Sequence, residues 1–182
     1  MTKILLAIAL VLVGPSTVRA AEFTHPTLGY SLEYPDGWKA KQAGEAGQIV
    51  EIYTGPSGST NIVVPRDVDL NIQVLDKQRG DDDAVLDSML IPDSERRGER
   101  KNVDRGGRHY RELVAQSAAS FQSDGTPNYY LQRYVVTTIA GVRFLFICDA
   151  WDDSEGISEQ KRCDQIIDSV TIHGGNQNEV QQ

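Results

Sequence analysis

The chain has 182 residues, of which 18 are basic and 26 acidic, so its formal net charge is −8. This length is enough for one domain with a sizeable hydrophobic core. An acidic surface repels nucleic-acid phosphates, and the composition therefore excludes nucleic acid as a general partner.

Residues 1–20 have the three parts of a secretory signal peptide. Lys3 supplies a short positive region, an apolar run extends from Ile4 to Val13, and Val18-Arg19-Ala20 ends in a small residue. Ten apolar residues are too few to span a bilayer, so we expect cleavage after Ala20 and no transmembrane anchor afterwards. Loss of Lys3 and Arg19 lowers the 18 basic residues to 16 and the net charge from −8 to −10. The sequence predicts a secreted or periplasmic protein.

Residues 28–38 predict a strand, a turn and a buried anchor. Two tyrosines and a leucine alternate with Ser31 and Glu33, as in a strand with one buried face. Pro35-Asp36-Gly37 matches the last three positions of a type I turn. We expect Trp38, which follows directly, to be mostly buried against the sheet.

The middle of the chain predicts further strands and a short helix. Ile49 to Tyr53 and Ile62 to Val64 are short apolar runs, and Val68 to Val74 alternates like a half-buried antiparallel strand. Asp81-Asp82-Asp83 precedes an apolar grouping that ends before Pro92, which indicates an amphipathic helix. The aspartates are placed where the dipole of a helix N-terminus favours negative charge.

The segment from Glu95 to Arg111 has the strongest local charge asymmetry. It holds seven basic and three acidic side chains, a local charge of +4 in an acidic chain, and Gly106-Gly107 predicts a hairpin turn. One interpretation is a solvated hairpin whose interleaved acids pair with its arginines. The other is a docking surface for a carboxylate- or phosphate-bearing partner, either an unidentified protein or an anionic envelope component. The candidate partner-binding residues are Arg96, Arg97, Arg100, Lys101, Arg105, Arg108 and Arg111.

The last third of the chain predicts three long antiparallel strands and a helix. The strands are Arg108 to Gln116, Tyr129 to Thr138 and Val142 to Trp151, and the third is apolar at nearly every position, which indicates a central strand covered on both faces. A helix is expected from about Ser158. The polar tail, residues 174–182, is predicted to be disordered.

Cys148 and Cys163 are the two cysteines of the chain. Cys163 belongs to the apolar stripe of the predicted helix, and Cys148 shares one strand face with Phe144 and Phe146. If that stripe packs on that face, the two sulfur atoms meet. An even count in an exported chain predicts a disulfide, and two buried free thiols are the alternative.

Two separated pieces of the chain resemble the PsbP-like superfamily, which is named for an extrinsic subunit of the oxygen-evolving complex. The first is Gly29 to Trp38; the second is Val142 to Cys148 with the helix and the closing run Ile167 to Ile172. The resemblance implies an α+β fold in which helices flank an antiparallel β-sheet, a PsbP-like α/β/α sandwich, formed by residues 21–173 as a single domain. It also implies accessory or binding roles and supplies no catalytic residue.

No pattern in the sequence predicts a catalytic residue, a cofactor or a metal site. The histidines are scattered, and the motifs HExxH, CxxC and GxSxG are missing from the sequence. The best metal candidate is the acidic group Asp149, Asp152, Asp153 and Glu155, whose hard oxygen ligands can suit calcium. The group lacks the spacing of a calcium loop, and the alternative is that the dipole of a following helix N-terminus favours these acids. Four tyrosines could line a groove or form cross-strand packing pairs, namely Tyr110, Tyr129, Tyr130 and Tyr134.

These observations favour a non-enzymatic exported accessory or partner-binding protein. A periplasmic protein that binds a small ligand or a metal is the second interpretation. An unrecognised hydrolase is the third, because a catalytic triad is defined by geometry rather than by sequence position.

Overall fold

The computed structural model describes residues 20–26, 28–36, 38–43, 49–53, 69–75, 80–90, 97–121, 124–125, 127–151 and 154–173. Its strands are β1 (Ala20–Thr24), β2 (Tyr30–Pro35), β3 (Lys39–Ala43), β4 (Ile49–Tyr53), β5 (Asp69–Leu75), β6 (Arg97–Arg105), β7 (Arg108–Phe121), β8 (Pro127–Ile139), β9 (Val142–Trp151) and β10 (Thr171–Ile172). Its helices are α1 (Asp82–Met89) and α2 (Ser154–Ser169). The predicted signal peptide up to residue 19, the strand at 62–64 and the tail lie outside the described residues.

The strands form two antiparallel sheets. The larger sheet has the order β3-β4-β5-β9-β8-β7-β6, and the smaller has the order β1-β2-β10. β9 is the middle strand of the seven, which confirms the interpretation of its continuous apolar run. Two antiparallel sheets with two helices make an α+β fold, as predicted.

The alternation of side chains along the strands separates two hydrophobic clusters, one on each face of the larger sheet. On the first face, Phe144 and Phe146 of β9 pack with the smaller sheet and with the apolar stripe of α2. On the second face, Leu145 of β9 packs with Val85 and Leu86 of α1. Both faces of the central strand are therefore covered, one by α2 and the other by α1.

Trp38 lies in the first cluster with 7% of its surface exposed, as predicted. The backbone N–H of Trp38 donates to the carbonyl of Pro35 at 3.1 Å. This hydrogen bond closes a turn that begins at Pro35, one residue later than predicted. The reason is that β2 extends through Pro35, which still pairs with Ala20.

α2 begins at Ser154, about four residues before the predicted start. The predicted disulfide between Cys148 and Cys163 is present and joins β9 to α2, with the two Cα atoms 6.5 Å apart. Both cysteines are fully buried. The covalent link thus lies inside the first hydrophobic cluster.

We expect the variant with both Cys148→Ala and Cys163→Ala to lose about 3 kcal/mol of unfolding free energy, the chain-entropy value for a loop of about 15 residues. Urea denaturation of the variant and the parent protein measures the difference. Alkylation in denaturant without a reductant checks the bond itself. Labelling of both thiols in the exported protein would contradict the bridge.

Candidate functional site

The basic segment predicted from the sequence forms the β6–β7 hairpin at one edge of the larger sheet. Gly106 and Gly107 connect the strands with positive φ angles of 58° and 75°. Positive φ at both central residues is the requirement of a type I′ turn, which is why two glycines stand here. The predicted hairpin is therefore confirmed.

Strand alternation distributes the basic side chains over both faces of the hairpin. Arg100 and Arg111 lie on the face covered by α1, whereas Lys101, Arg105 and Arg108 lie on the face covered by α2. Arg96 lies outside the described residues, and only the backbone of Arg97 is described. The structure therefore divides the predicted site into two groups.

On the α1 face, arginines from three strands bind the acids of α1. Arg111 contacts Asp83 at 2.8 Å, Arg143 of β9 contacts Asp82 at 2.6 Å, and Arg100 contacts Asp87. Asp81 is the N-cap and accepts a 2.8 Å hydrogen bond from the backbone N–H of Ala84. The hydrogen bond from Arg111 is the main cause that lowers the pKa of Asp83 below its ordinary value. The three aspartates thus serve the start of the helix, as predicted.

On the α2 face, five side chains form a connected group that we call the α2 ion cluster: Glu112, Arg133, Asp164, Arg105 and Asp168. Arg133 of β8 donates to Glu112 at 2.9 Å and also contacts Asp164, and the side chains of Arg133 and Glu112 are only 9% and 2% exposed. Arg105 contacts Asp164 at 3.0 Å and Asp168 at 2.6 Å. The cluster fixes α2 to the sheet through charges.

The pKa directions agree with this arrangement. Burial lowers the pKa of Arg133, but its hydrogen bonds to Asp164 and Glu112 outweigh burial and raise the pKa above the ordinary arginine value. The same balance holds for Arg105 with Asp168 and Asp164. Both guanidinium groups therefore remain charged although they are partly or largely withdrawn from water.

Arg108 binds the end of α2 rather than a carboxylate. Its guanidinium donates to the backbone carbonyl of Asp168 at 3.0 Å and to that of Val170 at 2.9 Å. α2 has no basic residue in its last turn. Arg108 therefore supplies the positive charge that stabilises the C-terminal end of a helix dipole.

Three of the predicted partner-binding residues, Arg105, Arg108 and Arg111, are thus used inside the molecule. Arg100 and Lys101 retain more exposure, with 33% and 50% of their side-chain surface accessible. The acids that contact these basic side chains belong mostly to α1 and α2. The solvated-hairpin interpretation expected them to belong to the hairpin itself. Asp104 of the segment contacts His109 at 2.7 Å rather than an arginine, and Glu112 of β7 lies 3.5 Å from Lys101 and 3.9 Å from Arg105.

Sequence reasoning missed the α2 ion cluster and Arg143. A usable signal was present: Glu112 lies between Tyr110 and Val114 on its strand face, and Arg133 lies between Leu131 and Val135, where an unpaired charge is very unfavourable. Each charge therefore required an opposite charge nearby.

The tyrosines do not line a common groove. Tyr110 and Tyr134 are buried in different hydrophobic clusters on opposite faces of the sheet, while Tyr129 is 37% exposed. Tyr130 pairs with Ser117 and Trp151 in the sheet. This arrangement agrees with the packing interpretation.

The hydrolase interpretation has one local contact to consider. His173 Nε2 lies 2.6 Å from the Ser31 hydroxyl, which also contacts Thr171. Ser31 is only 4% exposed and lies within β2, between β1 and β10. This position gives a substrate no access to the hydroxyl.

Two depressions formed by described residues have room for a small ligand. One, of about 470 Å³, lies at the start of α1 and is lined by its three aspartates with His109, Arg111 and Arg143. The other, of about 580 Å³, lies between the end of β2 and α2 and includes Tyr34, Arg162 and Ile166.

Among the described residues, no group of three or more His, Cys, Asp or Glu is arranged to hold a metal ion. Asp152 and Asp153 of the predicted acidic loop lie outside those residues.

No protein-family model and no curated protein matches the sequence. Solved structures do match. A protein of Bacteroides thetaiotaomicron VPI-5482 is 18% identical with a TM-score of 0.46, over 84% of this chain and 48% of that one, so the chain spans about half of its length. Cyanobacterial PsbP (CyanoP) of Synechocystis sp. PCC 6803 is 17% identical with a TM-score of 0.48, over 91% and 98% of the two chains.

The Ran-binding protein Mog1p of Saccharomyces cerevisiae is 6% identical to the chain with a TM-score of 0.50, over 86% and 96% of the two chains. At such identities the similarity concerns the fold alone. A PsbP structure, from the superfamily that the two sequence pieces resemble, is thus among these matches.

Proposed function

We propose that this protein is an exported, non-enzymatic binding protein that contacts an acidic protein partner through the basic side chains of β6. The observation that carries the proposal is the exposure of Arg100 and Lys101 at the edge of the sheet, which exceeds that of Arg105 and Arg111 although Arg100 also contacts Asp87 and Lys101 also contacts Glu112. Arg97 belongs to the same strand.

Export is supported by the signal-peptide pattern of residues 1–20 and by the disulfide Cys148–Cys163. Disulfides form and persist mainly in oxidising compartments outside the cytosol. No helix among the described residues is long and apolar enough to cross a membrane.

The placement of the two basic side chains favours a protein over a lipid surface. Arg100 and Lys101 are consecutive in a strand, so they point to opposite faces of the sheet. A flat membrane would contact one of these faces, whereas a protein segment along the strand edge can offer carboxylates to both. Arginine and lysine bind such carboxylates through charge-assisted hydrogen bonds.

The test compares two charge-matched variants of the mature protein. One carries Arg100→Glu and Lys101→Glu; the control carries Lys39→Glu and Lys161→Glu, which are exposed residues elsewhere on the surface. Each immobilised protein captures proteins from the native envelope fraction at low and high salt. A captured protein is then identified, purified and measured for direct binding.

We expect the parent and control proteins to bind the same acidic partner in a salt-sensitive way and the Arg100/Lys101 variant to bind it at least tenfold more weakly. Rim charges mainly steer encounter and are screened by salt, which is the reason for the salt dependence. Equal binding by both variants would overturn the proposal. Selective binding of the parent protein to anionic lipid vesicles would replace the protein partner with a membrane.

A further inference from the structure

β6 is the last strand of the larger sheet, and β7 is its only strand neighbour among the described residues. Because the turn has two residues, Arg105 and Arg108 form a hydrogen-bonded pair. Along antiparallel strands, hydrogen-bonded pairs alternate with pairs that exchange no backbone hydrogen bonds. The backbone groups of Arg100, Asn102 and Asp104 therefore point away from β7. They form an edge with hydrogen-bonding capacity for another strand.

The charges of this edge are complementary to a second copy of themselves in one antiparallel register. When Asn102 lies opposite its own symmetry mate, Arg100 of each copy lies directly opposite Asp104 of the other. On the other face, Glu99 lies opposite Arg105 of the second copy. The outward backbone groups of Arg100, Asn102 and Asp104 then face one another, as an antiparallel ladder requires.

The neighbouring registers are unfavourable. Moving the symmetry axis to Lys101 puts the two Lys101 side chains opposite each other and pairs Arg97 with Arg105. Moving the axis to Val103 puts Lys101 of each copy opposite Arg105 of the other copy. Like charges directly opposite each other destabilise a strand pair, whereas opposite charges stabilise it.

We propose that two copies of this chain associate through β6, antiparallel about Asn102, so that the larger sheet continues across the dimer. Asp104 and Arg100 retain 83% and 33% of their side-chain surface for this contact. The contact is isologous, the commonest arrangement of homodimers. One pair of edge strands buries little surface, so the dimer is weak and depends on concentration.

This dimer does not rest on the acidic partner proposed above, but it uses the same edge of β6 and the same Arg100. The two contacts therefore compete at Arg100, while Lys101 remains exposed on the sheet face. The competing explanation of the charged side chains on β6 is that they only prevent this edge from pairing with other chains. It predicts a monomer at every concentration.

The first test uses Asn102→Pro with Asn102→Ala as its matched control. Proline removes the outward N–H at the symmetry axis and is tolerated on an edge strand when its N–H would face solvent. Both variants lose the same 3.2 Å hydrogen bond from Arg111 to the Asn102 side chain. Sedimentation equilibrium from micromolar to several hundred micromolar concentration measures the mass.

We expect the mature protein and the alanine variant to dimerise at high concentration, and the proline variant to associate at least tenfold more weakly. A mature protein that stays monomeric throughout the range would overturn the proposal, and so would an Asn102→Pro variant that dimerises like the parent. The proline variant keeps all basic side chains, so its capture of an acidic partner tests the proposed function separately.

The second test exchanges the charges. Arg100→Asp alone and Asp104→Arg alone each put like charges opposite each other, so each variant should be monomeric. In a mixture, the two variants restore both pairs of opposite charge. We expect a heterodimer on mixing; a mixture that stays monomeric while the parent dimerises would refute the Asn102 register.

Discussion

Replacing Glu112 with Ala is expected to lower the unfolding free energy by about 3 kcal/mol, the low end of the range for breaking a buried ion pair. The loss leaves Arg133, whose side chain is 9% exposed, with Asp164 as its main carboxylate partner. The remaining contact with Asp164 still compensates part of the charge of Arg133 and keeps the loss at the low end of that range. Urea denaturation followed by circular dichroism measures the change.

Two further variants show whether the cost comes from the unpaired charge. Lys101 contacts the other oxygen of Glu112 at 3.5 Å but is half exposed, so Lys101→Ala should cost less than about 1 kcal/mol. Replacing Glu112 with Leu and Arg133 with Met together should recover much of the stability, because a well-packed apolar pair can replace a buried ion pair. A double variant that is less stable than Glu112→Ala would show that the cluster stabilises the fold beyond charge compensation.

Trp38→Ala is the other large effect, with an expected loss of about 3–5 kcal/mol as for other buried aromatic truncations. Trp38 packs into the cluster that joins the smaller sheet, α2 and β9, so its removal leaves a cavity where three layers of the molecule meet. Chemical denaturation monitored in the far ultraviolet gives the difference.

Tyr129→Ala is the matched control for Trp38, since that aromatic side chain is 37% exposed. Its truncation should change stability far less, as is usual for surface substitutions. An unfolding midpoint of Trp38→Ala equal to that of the parent would contradict the role of Trp38 as an anchor of the smaller sheet.

The elements that local patterns determine were predictable from the sequence. The apolar run of β9, the aspartates that begin α1 and the Gly106-Gly107 turn each follow from the chemistry of neighbouring residues. The start of α2 was missed, because residues 152–156 include no apolar side chain and carry no apolar periodicity. Gly156 further weakens the helical pattern there.

The contacts that each arginine makes inside the molecule were not predictable, because they depend on which helix covers which face of the sheet. Arg105 and Arg108 meet α2, about 60 residues further along the chain, and Arg111 meets α1, 28 residues earlier. Sequence spacing within the hairpin carries no information about these distant partners. The charge excess was therefore visible from the sequence, whereas its internal use was not.

If the predicted signal peptide is cut after Ala20, the pairing of β1 with β2 determines when the cut can occur. Ala20 and Ala21 pair with Pro35 and Tyr34, so the peptide bond expected to be cut lies within the first rungs of the smaller sheet. Proteases cut exposed, mobile chain far more readily than paired strands. On that prediction, a peptidase that cuts after Ala20 must act before β1 joins β2, and a chain that folds first is expected to resist the cut.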